Sequence, residues 1–296
     1  MKLRMVLLIG VFLFCIISVA TQAQETEQVG QVQNAKSMPI VKSLFYGFDV
    51  LDIGRGLEGK IDFELSCTVT SKHIWHGIDL LDDHGATLPV GTIIFGDSGF
   101  SAKIIDVYPM SSGFEKSVER HYAGFYTGTL WQDTPLATNF TTSYYYNGKP
   151  KIGNKKGDTQ EFGVTFFWPK LIAAGNGYIT PSYYFDYIWA SKSNSNMRNC
   201  EGFIHVFGLA YDFEIPDFLL TGNKQNFRLF GDLTYNDGFV GSAIEHDWSH
   251  AVIGISANFT KGNWSITPSL SFQKSMEDSV NTEDEIWSGI NVTYRF

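Results

Sequence analysis

From residue 60 to the last residue, apolar and polar side chains alternate almost one by one. Ile61, Phe63, Leu65, Cys67 and Val69 interleave with Asp62, Glu64, Ser66, Thr68 and Thr70. Successive residues of a strand point to opposite faces, so this segment predicts a β-strand with one apolar and one polar side. The pattern returns where Phe227, Leu229, Leu233 and Tyr235 oppose Arg228, Asp232, Thr234 and Asn236. It returns again where Trp264, Ile266, Leu270 and Phe272 oppose Ser265, Thr267, Ser269, Ser271 and Gln273. The last segment sets Ile286, Ile290, Val292, Tyr294 and Phe296 against Trp287, Gly289, Asn291, Thr293 and Arg295. Twelve such segments begin near residues 60, 86, 99, 119, 136, 158, 176, 200, 225, 246, 263 and 284. The facing of those around Ile93, Ile104 and Phe125 stays open.

The connections fall into two kinds. Residues 96–99, 133–135 and 261–263 are tight turns rich in Gly, Asp and Asn. Longer polar stretches at 77–85, 109–119, 147–158, 191–199, 236–245 and 274–284 follow the odd-numbered segments, and two longer connections, 169–177 and 215–225, break the rule. Short turns at one end and long loops at the other are the anatomy of an antiparallel up-and-down transmembrane β-barrel of about twelve strands. A soluble sandwich or lipocalin-like barrel also alternates, but it hides its apolar face. Here aromatic residues make up 15% of the 296 residues and concentrate on that face, as at a lipid boundary.

The first residues agree with export. Lys2 and Arg4 precede an apolar stretch from Met5 to Ala20, with small residues at Ala20 and Ala23, so residues 1–23 predict a secretory signal peptide. Phe14 before Cys15 argues against lipidation. Residues 24–59 are expected to form a periplasmic leader, with insertion into the barrel mouth as the alternative, and residues 60–296 the barrel. An even strand number puts both termini in the periplasm. The formal charge of −9, or −11 after removal of Lys2 and Arg4, argues against a nucleic-acid partner. Cys67 and Cys200 lie far apart and suggest no disulfide framework.

The chain ends in Val292-Thr293-Tyr294-Arg295-Phe296. Val292, Tyr294 and Phe296 resemble the signal read by the outer-membrane barrel assembly machinery. The stretch Val69-Thr70-Ser71-Lys72-His73-Ile74-Trp75-His76-Gly77-Ile78-Asp79 resembles the opening strand of a family of uncharacterised bacterial outer-membrane barrels, typically Ser-(Asp/Lys)-Tyr-x-(Trp/Phe)-Arg-Gly. His73 and His76 stand where that family commonly has Tyr and Arg. The resemblance implies a single barrel in a bacterial outer membrane, with no established catalytic activity.

Facing places Asp62, Glu64, Lys72, Glu161, Asp186, Arg228, Asp232 and Arg295 inside, with Tyr184 and Trp287 among them. Mixed charge predicts either the lining of a channel for small polar solutes or an ion-paired filling of a closed barrel. A passive channel is the favoured function. The alternatives are a closed structural or adhesion-type barrel acting through its loops, and a lipid-processing enzyme. His73, His76, Asp79, Asp82, Asp83 and His84 gather in the first long loop, and His246, Asp247 and His250 near the tenth segment. No spacing repeats a known metal site, so these are read as solvated loops with no metal and no cofactor. Ser249 and His250 are adjacent, so in a regular strand they face opposite sides and cannot pair for nucleophilic catalysis; no Gly-x-Ser-x-Gly occurs. No catalytic residues are therefore assigned. Among the loops, the lysines at 149, 151, 155 and 156 are expected to meet anionic lipid phosphates, and the acidic loops to meet divalent cations.

Overall fold

The computed structural model describes residues 61–151, 157–169, 171–175, 177–192, 199–216, 225–239 and 246–296. The expected signal peptide and the leader at 24–59 lie outside the described residues. Twelve long strands form the wall: β1 (Ile61–Thr70), β4 (Ala86–Phe95), β5 (Phe100–Pro109), β6 (Glu119–Leu130), β7 (Thr138–Gly148), β8 (Thr159–Phe167), β10 (Gly177–Ala190), β11 (Gly202–Ile215), β12 (Gln225–Asp237), β13 (Asp247–Lys261), β14 (Trp264–Ser275) and β15 (Glu285–Arg295). Each begins within two residues of the start that alternation predicts. Three short strands, β2 (Ile74–Trp75), β3 (Ile78–Asp79) and β9 (Ile172–Ala174), sit in connections. The last of these adds to β10 through Ile172↔Ile179, inside one of the two anomalous connections.

Every long strand pairs antiparallel with the next, and β1 closes the ring against β15 through Glu64↔Arg295 to Thr70↔Gly289. The Phe296 amide donates to the Phe63 carbonyl at 2.9 Å, extending that seam to the last residue. Closure pairs the backbone groups that an open sheet edge would leave exposed, which is what a lipid environment demands. The end bearing Ile61 and Phe296 is called the terminal end below, and the opposite one the far end.

The outer face is apolar and unburied. Phe63, Leu65, Ile253, Leu270 and Ile290 remain about half exposed, at 48–54%. Five such side chains, spread around the ring with many like them, have no layer among the described residues to cover them. The wall is therefore built for lipid contact. Aromatic pairs rim both ends of this band. Phe100–Tyr126 and Trp264–Tyr294 pack at the terminal end, and Tyr187–Trp189 and Tyr235–Trp248 toward the far end. The ambiguous facings resolve: Ile93 and Ile104 point outward, while Phe125 is buried inside against the edge of Tyr145. His205 lies among the outer aromatics and bonds Tyr183 Oη through Nδ1 at 2.8 Å. No disulfide joins Cys67 and Cys200.

Candidate functional site

The loop after β1 does not stay in solvent. Beyond Thr70 the chain bends inward as the β2–β3 hairpin, pairing Ile74↔Asp79 and Trp75↔Ile78 around a two-residue turn at His76-Gly77. Both turn residues have positive φ, 48° and 84°, the combination a tight primed hairpin requires. Gly77 meets a second constraint, because a Cβ there would stand 2.4 Å from His250 Nδ1 on β13. The Gly77 carbonyl accepts hydrogen bonds from Gln273 Nε2 at 2.8 Å and Asn281 Nδ2 at 3.3 Å. Trp75 meets Phe239 edge-on at 5.2 Å. With Ile78 it packs against Tyr184, Ile188, Ile204 and Val206 on the inner wall. Leu81, fully buried, joins Ala86 and Val107.

A fully buried side chain of this size contributes roughly 1.5–3 kcal/mol, so fully buried Leu81 and partly buried Trp75 and Ile78 offset part of the cost of ordering the loop, and the Gly77 carbonyl bonds and the Lys72 pairs add to them. The base of the loop is fastened by Lys72, whose ammonium pairs with Asp83 and, at 2.5 Å, with Glu285. Asp83, then Glu285, hold the Lys72 ammonium well above its usual pKa. Asp79 caps the turn by accepting from the Leu81 and Asp83 amides.

This arrangement corrects the expectation of a solvated loop. His76 is 1% exposed, and desolvation, helped by nearby His250, pushes its pKa down to about 3. The imidazole is neutral at ordinary pH, so its 3.7 Å approach to Asp186 is not an ion pair. The signal that sequence reasoning passed over was apolar: Trp75, Ile78 and Leu81, with Ile74 and Leu80 beside them, in a segment rich in His and Asp.

The interior charges expected from alternation fall into three groups. Arg228 grips Asp212 with both Nε and Nη2, at 2.6 and 2.7 Å, and Arg295 donates to Glu64 at 3.0 Å. Each pair joins residues directly opposite on adjacent strands, so these charges lie along the wall and do not bridge the lumen. Asp62 shares the face of Glu64, and Asp232 shares that of Arg228. Lys72 belongs to the loop base. Glu161 on β8 and Asp186 on β10 form the third group with His76, all three buried. Gly163, opposite Asp186, leaves room for the Tyr184 ring, whose edge would meet a Cβ at 2.8 Å. A cavity of about 300 Å³ lies within the barrel, bordered by Glu161, by the Arg228–Asp212 pair, and by Ser66, Thr68, Ser269, Ser271 and Asn291.

A second correction concerns Ser249 and His250. The β12–β13 register shifts between Thr234↔His250 and Tyr235↔Trp248, leaving Ser249 as the extra residue of a β-bulge. The bulge cancels the alternation for one step. Both side chains turn inward, 0% and 2% exposed, and Ser249 Oγ lies 2.7 Å from His250 Nδ1. The pair sits beneath Gly77. Lys149, expected at the lipid surface, pairs with Glu119, which also bonds His121. Lys155 and Lys156 lie outside the described residues.

No protein-family model and no curated protein matches the chain. Similar solved structures include a NanC porin, 9% identical, covering 79% of this chain and 98% of that one, with a TM-score of 0.46. Another is the COG4313 outer membrane channel from Pseudomonas putida F1, 11% identical, covering 80% and 96%, at 0.43. A third is LpxR from Salmonella typhimurium, 9% identical, covering 78% and 99%, at 0.41.

Proposed function

We propose that the chain is a bacterial outer-membrane channel through which small polar solutes pass passively, narrowed by its own first loop. One observation carries this reading: the interior holds a cavity where hydroxyl and amide side chains alternate with apolar and charged ones, and the Arg228–Asp212 and Arg295–Glu64 pairs run along the wall instead of crossing it. A solute without strong charge can exchange water for Ser66, Thr68, Ser269, Ser271 and Asn291 in turn, with no single deep well to hold it. The apolar outer band supports membrane insertion, and the signal-peptide pattern with the terminal Val292, Tyr294 and Phe296 supports outer-membrane assembly. The resemblance carried by residues 69–79 supports placement among the uncharacterised outer-membrane barrels.

Planar-bilayer recording of the detergent-folded protein tests the reading. Small, reproducible unitary steps are the expected result. A folded barrel that stays silent returns the protein to a closed barrel acting through its loops. The Ser249–His250 contact favours the lipid-processing alternative only if the loop uncovers it, which a lipase assay on the same sample addresses.

A further inference from the structure

We propose that His76, Glu161 and Asp186 form a binding site for a divalent transition-metal ion of the zinc class, joining the infolded loop to the barrel wall. This goes beyond the channel reading and does not depend on it. The three side chains come from three separate parts of the chain, the β2–β3 turn, β8 and β10. Their exposures are 1%, 2% and 0%. One potential ligand atom from each lies within 4.8 Å of the others. Ligands of a tetrahedral ion with bonds near 2.0–2.1 Å stand roughly 3.4 Å apart, so modest side-chain rotation closes the site. An imidazole nitrogen with two carboxylates, leaving one position open, suits zinc better than calcium, which takes six to eight oxygens.

A second observation points to a cationic ligand. Both oxygens of Asp186 are buried, and the Tyr184 hydroxyl and the Tyr187 amide approach them without closing a hydrogen bond of ordinary geometry. Among the described residues no lysine or arginine pairs with Asp186 or Glu161. A buried carboxylate without compensation is costly, and two side by side more so. The other carboxylate group of the same loop, Asp79, Asp83 and Glu285, shows the contrast: there the Lys72 ammonium already supplies the positive charge. Asn147 Nδ2 donates to Glu161 Oε1 at 2.5 Å, which orients the carboxylate and leaves its second oxygen for a ligand role.

The test uses the full barrel without a histidine tag, folded in detergent, stripped with chelator and dialysed against zinc chloride. Atomic emission should find one zinc retained per chain, and zinc should raise the temperature at which the folded gel band converts to the unfolded one. H76Q and D186N should each lose the retained zinc and the shift. Should D186N fail to fold, H76Q, which alters the loop and not the wall, decides alone. Absence of zinc from the folded wild type overturns the proposal and leaves a proton shared by Glu161 and Asp186. Unchanged retention in H76Q, retention without a thermal shift, or equal retention of calcium overturns it as well.

Discussion

Gly77→Val should expel the first loop from the lumen. The position has φ of 84°, where an L side chain costs about 1–2 kcal/mol in backbone strain alone. The added Cβ also collides with the His250 ring at 2.4 Å, and that ring has the Ser249 contact and the strand backbone behind it. Each 1.4 kcal/mol or so changes the ratio of docked to undocked loop about tenfold, so the two effects together empty most of the docked state. Undocking removes Trp75, Ile78 and the Gly77 carbonyl bonds as one unit, because they share one short hairpin.

A cysteine at Ser249 reports the event without assuming that the barrel conducts. Ser249 is fully buried, so with Cys67 and Cys200 changed to serine, Ser249→Cys should react with a water-soluble maleimide only when Gly77→Val is also present. If the channel reading holds, unitary conductance should rise several-fold in the same variant. Equal labelling with and without Gly77→Val would show that the loop is not what covers this part of the wall.

Leu65→Arg should destabilise the folded barrel in liposomes by about 2–4 kcal/mol. Leu65 lies midway along β1, is 54% exposed on the outer face, and sits opposite Gly91 and Tyr294. An arginine there places a guanidinium in hydrocarbon, with a polar exit only at the price of thinning the bilayer. Ser66→Arg is the control, one residue along and turned into the cavity, on the polar face that Glu64 shares. Urea unfolding followed by tryptophan fluorescence should separate the two clearly. Equal losses would mean that the outer face is not in lipid.

The strands were legible because their information is local. Period two needs only neighbouring residues, so Ile61 to Thr70 declares both its conformation and its sidedness within one segment. The seam was legible for the same reason: the last segment alternates through to Phe296 and pairs residue by residue with β1. The charges at Glu64, Arg228 and Arg295 could be placed inside because their parity is that of Ser66, Thr234 and Thr293. What parity could not say is that Arg228 and Arg295 have carboxylates directly across the ladder. That depends on inter-strand register, which turn length and closure settle together.

By itself the sequence determined a twelve-strand antiparallel wall, apolar outside and polar within. Most strands write that pattern in adjacent residues, and a lipid boundary leaves no other stable way to place it. Only the tertiary structure decided what occupies the interior. Trp75 and Ile78 gain from leaving solvent only where β10 and β11 present Tyr184, Ile188 and Ile204 to meet them, and Leu81 only where β4 and β5 present Ala86 and Val107. A single extra residue at the bulge reversed the parity that would have separated Ser249 from His250. His76 reached Glu161 and Asp186 across 85 and 110 residues of chain because a hairpin turn brought it there, and no periodicity spans that distance.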